Sequence, residues 1–521
     1  MAPCSARSTL NSSADTVSSP LSFACSAMAA TRRVIWSSDE VIDESSARSG
    51  AISPFCPDVP ATRSGARAPS PSAARKGLSG RRLRFAAMLK VLDLRGGATD
   101  LRSRLPRPDL AAEASVADVR AILAAVRSEG DEAVRRYTKR FDGAELSDLR
   151  VPHDELAAAA GRLDPGLLEA LQAARDSIEA FHRWRVVQTG LYERNGIQVE
   201  HLELPVSRAG VYVPGGRARY PSSVLMTAIP PKVAGVGAVV VCSPPGPDGS
   251  VPDEILAAAH LAAVDELYQV GGAQAIAAMA FGTESIAAVD VIVGAGNRYV
   301  SLAKQEVLGV VGVPASFAGP SEVVVVADET TPVDCAAIDV IVQAEHGPDG
   351  LAWLVTWSET ALTAINEAIG RFVADAPRRN EISATLASGG YAVLVDGPEQ
   401  AMAVANEVAP EHLELCCADP ERLVPLVANA GAVFLGPWSP ASIGDYIAGP
   451  SHVLPTFRSA RFASVLGVED FVRRVHVIRA DRAGLAAVAP HVAAIATAEG
   501  LFAHAESVSV PSRRPTAAST T

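Results

Sequence analysis

No Cys-x-x-Cys pair occurs in this chain, and its seven cysteines stand scattered at positions 4, 25, 56, 242, 335, 416 and 417. An odd, unpatterned set argues against a disulfide framework and for a reducing compartment. It also makes a thiolate zinc site a poor reading, so any zinc must be held by nitrogen and oxygen donors. No uninterrupted apolar run reaches the ~18–20 residues that a membrane-spanning helix needs. Basic residues are in deficit. The net charge of −12 speaks against a general nucleic-acid binder, although local amides and arginines can still hold small anions. Also missing are the Gly-x-Gly-x-x-Gly dinucleotide loop and the His-Glu-x-x-His of zinc hydrolases. No short-period solenoid repeat is present.

What remains is a chain of 521 residues, 48% hydrophobic and 20% charged, which reads as globular with room for two to four domains. Residues 1–87 differ from the rest. They are rich in Ser, Ala and Arg, carry 11 basic and 6 acidic residues, and show no sustained periodicity, a composition that fits disorder. The Arg/Ser/Ala bias suits a transit peptide, which would move the protein from the cytoplasm to an organelle. The acidic run Asp39-Glu40…Asp43-Glu44 and the Pro-rich stretch 52–71 speak against it.

From 115 to 200 the pattern is helical, with apolar residues at intervals of three and four. Strand-like runs follow at 209–213, 238–242, 266–270, 290–293 and 322–327, with helices at 253–263 and 273–281 among them. A second series gives strand 352–356, helix 359–373, strand 391–395, helix 398–407, strand 412–416, helix 420–428 and strand 431–435. Strands alternating with helices predict parallel βαβ units. The fold class is therefore α/β: two Rossmann-like βαβ domains with a cleft between them. The tail, 484–505, reads as an Ala-rich helix kinked at Pro490.

Four polar clusters interrupt this Ala/Val/Leu-rich background: Gln343-Ala-Glu-His-Gly-Pro348, Pro410-Glu-His-Leu413, Gly444-Asp-Tyr446 and Ser451-His-Val-Leu-Pro-Thr456. Such groups are costly to bury unless paired, coordinated or used. Together they offer imidazole nitrogens, carboxylate oxygens and an adjacent Glu-His acid/base pair. Each also has a plainer reading. His346 suits the carboxyl end of a helix starting near Val333, and Asp445 suits a turn. Glu411-His412 reads equally as a solvated loop pair, and His504 as an exposed helix histidine. By chemistry alone Glu345 is a better zinc ligand than the neutral amide of Gln343. Gly294-Ala-Gly-Asn297 after a strand is a partial phosphate-loop look-alike. His153, His182, His201, His260, His476 and His491 match no pattern and read as structural or surface residues.

The chain resembles the histidinol dehydrogenase family. The resemblance rests on Val211-Tyr-Val-Pro-Gly-Gly216, Val270-Gly-Gly-Ala-Gln-Ala-Ile-Ala277, Ala318-Gly-Pro-Ser-Glu322, Gln343–Asp349, Ala409–Leu413, Gly444–Tyr446, His452–Thr456 and Ala498–His504. These blocks occur in family order across about residues 88 to 510. Met88-Leu-Lys-Val-Leu-Asp-Leu-Arg-Gly is similar to a family amino terminus, which makes 1–87 a non-native extension on that reading. The resemblance implies a four-electron, NAD-dependent oxidation of L-histidinol to L-histidine via histidinaldehyde. A related zinc-dependent dehydrogenase of another small polar alcohol, such as a sulfonated diol, is the alternative.

The resemblance further implies one Zn²⁺ per subunit on Gln343, His346, Asp445 and His504, overriding the chemical preference for Glu345. It gives Glu411 and His412 the catalytic work. Ser321, Gln343, His346, His412, Asp445, His452, Glu499 and His504 would contact substrate, and Tyr212, Gln274 and Asn297 would contact NAD. Ser451 stands where the family commonly has Asn, and Ala295 where many members have Pro. The implied partners are the small-molecule substrate and a second copy of the chain sharing its active sites. The implied domain plan is an amino-terminal segment 88–108, a first α/β domain of 109–211 with 323–466, an NAD-binding domain 212–322, and a helical tail 467–513.

Overall fold

The computed structural model describes residues 88–97, 100–106, 115–186, 190–215, 219–314, 319, 321–347 and 350–513; the expectation for residues 1–87 lies outside them. The strands among the described residues are, in chain order, β1 (Lys90–Asp93), β2 (Leu191–Arg194), β3 (Ile197–Pro205), β4 (Arg208–Tyr212), β5 (Ala238–Cys242), β6 (Glu266–Tyr268), β7 (Val291–Val293), β8 (Glu322–Ala327), β9 (Leu351–Thr356), β10 (Gly390–Leu394), β11 (His412–Cys416), β12 (Ala432–Leu435) and β13 (Val472–Ala480).

Two parallel sheets dominate, as the βαβ pattern predicts. The larger has the order β1-β10-β9-β8-β11-β12 and the smaller β6-β5-β4-β7. Strands β8 to β11 are buried at every position, which is what a parallel sheet covered on both faces demands. Alternation sends Val323, Val325 and Ala327 to one face, with Ala336, Val340 and Ile365. Val324 and Val326 go to the other, with Trp353, Val355 and Met402. The smaller sheet is sandwiched in the same way. Val211, Val239 and Val293 meet Val224, Leu225 and Ile255, while Val240 and Ile292 meet Val119, Ala275 and Ala278. No helix among the described residues is long and apolar enough to cross a membrane.

The expected boundaries need correction. β4 lies between β5 and β7, so residues 208–212 belong to the smaller sheet. The helices between Val116 and Arg185 also pack on that sheet's helices, because their apolar stripes complete its two cores. β1 pairs in register with β10, so the amino-terminal segment forms an edge of the larger sheet. Residues 191–200, read as helical, form β2 and the first part of β3, and β3 pairs antiparallel with β13 along its whole length. The tail is therefore part strand. Pro490 lies inside the Arg482–Ala498 helix, and a second helix follows after Gly500 (φ 75°), whose left-handed backbone ends a helix readily. The predicted helix 420–428 is only two short 3₁₀ turns, Pro420–Arg422 and Val424–Leu426. Pro425 supplies no amide hydrogen there.

One close approach fixes how the smaller sheet presents its carboxyl edge. Gly294 follows β7 with φ 105°, and a Cβ there would stand 2.0 Å from the Tyr212 carbonyl oxygen. Gly294→Ala should therefore cost at least about 2 kcal/mol, combining backbone strain with a clash against main chain. Gly309→Ala, at φ 95° with nothing within 4 Å, should cost only about 1 kcal/mol. Urea unfolding midpoints of the two variants test the difference; equal costs would mean that the Tyr212–Gly294 contact is not rigid.

Candidate active site

The central residue is His412, first of β11 and buried. Its Nδ1 lies 3.2 Å from the Glu322 carbonyl oxygen and its Nε2 3.2 Å from Asp445 Oδ1. Both partners are acceptors, so both ring nitrogens must carry hydrogen and the imidazole is a cation in this arrangement. Burial pulls its pKa down, but the Glu411 charge and the Asp445 bond outweigh that and push it up to about 9. Phe434 stacks on the ring at 5.9 Å between centroids.

Glu411 precedes it, and Oε2 accepts the Glu322 amide hydrogen at 3.1 Å. Burial pushes this carboxyl up to about 7, against the pull of the His412 charge. The two residues follow Ala409, which ends the Pro398–Val408 helix in the left-handed region (φ 51°). A non-glycine residue held there stores roughly 1–3 kcal/mol of strain, which is what turns the chain sharply into β11. The solvated-pair reading of Glu411-His412 is thereby removed.

Glu322, at the start of β8, organises both groups through its main chain: its N–H holds Glu411 and its carbonyl holds His412. Sequence reading passed over it although it closes one of the matching blocks. The signal was a carboxylate opening an otherwise apolar Val-rich strand. Its own side chain is buried, and Oε2 accepts the Phe457 amide hydrogen at 3.2 Å. Phe457 and Arg458 both take positive φ, 54° and 65°, so Glu322 pins a strained segment. Burial first, then the Glu411 charge, pushes Glu322 up to about 8. Ser321, half-buried, sits immediately before it.

Asp445 comes from the short Ala441–Tyr446 helix. Burial alone would raise its pKa, but the His412 bond and charge hold it below the usual carboxylate range. Gln343 Nε2 donates to Asp445 Oδ2 at 3.4 Å. The Val333–Val342 helix tightens into a 3₁₀ turn over Gln343–His346. Residues three apart eclipse in such a turn, so Gln343 and His346 share a side while Glu345 is exposed. His346 is exposed at its outer edge, yet burial of its ring holds its pKa below the ordinary value.

His452 uses both nitrogens. Nδ1 donates to the Asp445 carbonyl at 2.9 Å, and Nε2 lies 3.2 Å from Ser223 Oγ. Burial lowers its pKa, so it is neutral and accepts from Ser223. Ser451 donates to the Met226 carbonyl at 3.1 Å. Ser223 and Met226 belong to the Pro221–Ala234 helix, which follows β4 of the smaller sheet. This second brace, absent from the sequence reading, joins the two sheets at the site.

A metal's donor set can be tested on these residues. Gln343, Asp445 and His346 offer an amide oxygen, a carboxylate and a neutral imidazole on adjoining positions, which suits a nitrogen/oxygen zinc site. His504 and Glu499 lie elsewhere. Both are exposed on the tail, His504 in the Phe502–Ser509 helix, which buries none of its residues. Among the described residues the only compact group of three His, Cys, Asp or Glu donors is Asp339, Glu414 and Cys416; His346, Asp445 and His504 do not form one.

The residues expected to contact NAD lie at or after the carboxyl ends of strands of the smaller sheet, where open α/β sheets bind ligands. Tyr212 ends β4 and its hydroxyl accepts the Gly272 amide hydrogen at 3.1 Å. Asn297 follows β7 and caps the Arg298–Glu306 helix. Gln274, one turn into the Gly272–Phe281 helix, is wholly buried with both amide atoms unpartnered. A buried orphan amide is expensive unless a ligand satisfies it, so these residues fit a nucleotide.

The histidinol dehydrogenase family model matches residues 105–512. A histidinol dehydrogenase of Parasynechococcus marenigrum is 49% identical over 388 residues, 74% of this chain and 89% of that protein. One from Moorella thermoacetica is 47% identical over 402 residues, 77% and 95% of the two chains. The crystal structure of histidinol dehydrogenase from Elizabethkingia anophelis superposes with a TM-score of 0.79 at 35% identity, covering 82% of this chain and 98% of that one.

The buried Glu322 carboxyl generates a pH prediction. Its folded pKa of about 8 lies above the ordinary 4.5, so its contribution to stability is full below about pH 4.5 and is lost as pH rises through about 8. In Glu322→Gln the amide oxygen still accepts the Phe457 N–H, but nothing titrates. Between about pH 5 and pH 9 the wild type should lose a few kcal/mol more than the variant. Denaturant midpoints across that range check this; parallel pH profiles would show that Glu322 is ionised throughout.

Proposed function

The chain belongs to the histidinol dehydrogenase family, and on that premise we propose that it oxidises L-histidinol to L-histidine through histidinaldehyde, consuming two NAD⁺. The observation that carries the reading is the buried Glu411–His412 pair, with half-buried Asp445 bonded to both His412 and Gln343. It places an acid/base imidazole, a carboxyl pushed up to about 7 and the carboxylate and amide of Asp445 and Gln343 side by side.

His412 takes the proton of the substrate hydroxyl in the first oxidation. Its Nδ1–H stays on the Glu322 carbonyl and fixes the ring. Its Nε2 proton, held on Asp445 in this arrangement, must first pass to solvent, which leaves a neutral ring able to accept at Nε2. Glu411 then takes a proton from water adding to the aldehyde while His412 returns its proton to the aldehyde oxygen, and the neutral His412 accepts the hydrate's hydroxyl proton in the second oxidation. General acid/base groups of this kind contribute about 10²–10⁴-fold each. Retaining the aldehyde between the two oxidations would protect it from side reactions in water. Bound zinc would orient the substrate and polarise its oxygen, held by Gln343, His346 and Asp445. NAD⁺, on Tyr212, Gln274 and Asn297, would accept the hydride. Ser321 and His452 border the substrate; His452 also braces Asp445, so contact with substrate would compete with Ser223.

We further propose a homodimer in which His504 and Glu499 complete the site of the other subunit. Both residues are exposed, on a tail that also exposes Ile495, Leu501 and Phe502. Apolar side chains of that size suit a subunit interface, and two-fold symmetry would give each site one borrowed tail.

Purified protein should release about two NADH per histidinol consumed and carry roughly one divalent ion per subunit, with activity lost to a chelator. Full turnover without metal would remove the zinc assignment, and no NADH from histidinol would remove the substrate. Co-expressed His412→Asn and His504→Asn chains, each inactive alone, should regain roughly a quarter of wild-type activity. Random pairing gives about half heterodimers with one intact site each. Verified heterodimers without activity would place each tail on its own subunit.

A further inference from the structure

Behind His412, on the same face of β11, lie Glu414 and then Cys416; Asp339 comes to meet them from the Val333–Val342 helix. All three are buried, and their donor atoms lie within 4.8 Å of one another. Glu414 Oε1 accepts the Ala441 amide hydrogen at 3.3 Å. Its Oε2 has no donor at all, although the residue is only 1% exposed. A buried carboxylate oxygen facing a second carboxylate is doubly unfavourable, since neither has a hydrogen to give. One proton removes both problems: it turns the orphan Oε2 into a donor to Asp339 and cancels one of two like charges.

We propose that Asp339 and Glu414 share one proton and act as a buried positioning pair for the active site. Asp339 lies four residues before Gln343, on the helix that leads into it. Glu414 lies two residues after His412 on one strand. Ala441 opens the helix that carries Asp445. The pair thus ties together the three elements that deliver a ligand, the acid/base histidine and a second ligand. The inference rests on the roles proposed above for Gln343, His412 and Asp445. Both members are pushed in the direction that favours a retained proton: burial is the largest cause for each, with the Asp339 charge and hydrogen bond adding to it at Glu414. The Cys416 thiol beside them is likewise raised by burial, so it offers neither a thiolate nor a counter-charge.

The test compares Glu414→Gln, Glu414→Met and Asp339→Asn, measuring histidinol turnover and the metal retained after dialysis. In Glu414→Gln the new amide can give a hydrogen to Asp339 and accept from Ala441. In Asp339→Asn the new amide can donate to an ionised Glu414. Both amide variants should therefore stay within about twofold of wild type in both readouts. Met fills similar space with no hydrogen bond. It should lower turnover at least about tenfold and weaken metal retention, while circular dichroism stays native. If the Met variant does not fold, the two amide variants decide, because a tenfold loss in either contradicts a shared proton. A wild-type-like Met variant would also overturn the proposal. So would a second equivalent of divalent ion in the wild type that Glu414→Gln lacks, since the cluster would then be a cation site. If the wild type itself does not oxidise histidinol, metal retention across the three variants still tests the pair.

Discussion

A charged imidazole in the interior survives only if every hydrogen it carries has an acceptor. His412 satisfies that condition with a main-chain carbonyl on one side and a carboxylate on the other. Removing one acceptor from such a buried pair would cost roughly 3–5 kcal/mol, so the surrounding architecture is constrained to keep both in place. The carbonyl belongs to Glu322, whose position is set by β8 pairing in register with β11, His412 opposite Val323. The carboxylate belongs to Asp445, whose helix is held by Glu414 and whose carbonyl is held by His452. The larger sheet thus acts as a jig for one proton-carrying ring.

The same constraint links the two sheets. His452 and Ser451 reach the Pro221–Ala234 helix through Ser223 and Met226, and that helix follows β4, at whose carboxyl end Tyr212 lies. The residues proposed for catalysis stand at the amino ends of β8 and β11, and Tyr212 and Asn297, proposed to hold NAD, at the carboxyl ends of β4 and β7.

Much of this was legible in the sequence. Val-rich runs separated by helical periodicity gave parallel strands within a few residues of their observed limits, because fully buried strands carry a strong signal. Pairing across long sequence distance was not legible. Strands β2 and β3 are at most half-buried and mix polar with apolar residues, and β13, the partner of β3, follows only after both parallel sheets are complete. At the site, residue identity alone favoured Glu345 over Gln343. The structure adds that Glu345 is exposed while Gln343 is buried and bonded to Asp445. Glu322, Asp339 and Glu414 were visible as acids within apolar segments, but their use depends on which main-chain groups they meet, and only the fold supplies that.

The central claim is that one buried cluster serves both oxidations, with His412 needed for each and Glu411 needed for adding water between them. The most direct measurement is single-turnover hydride transfer by Glu411→Gln, started separately from histidinol and from histidinaldehyde. Alcohol oxidation should stay near normal, while the aldehyde step should slow by about 10²-fold or more. Equal slowing of both steps would contradict that division of labour and return Glu411 to a purely structural role beneath His412.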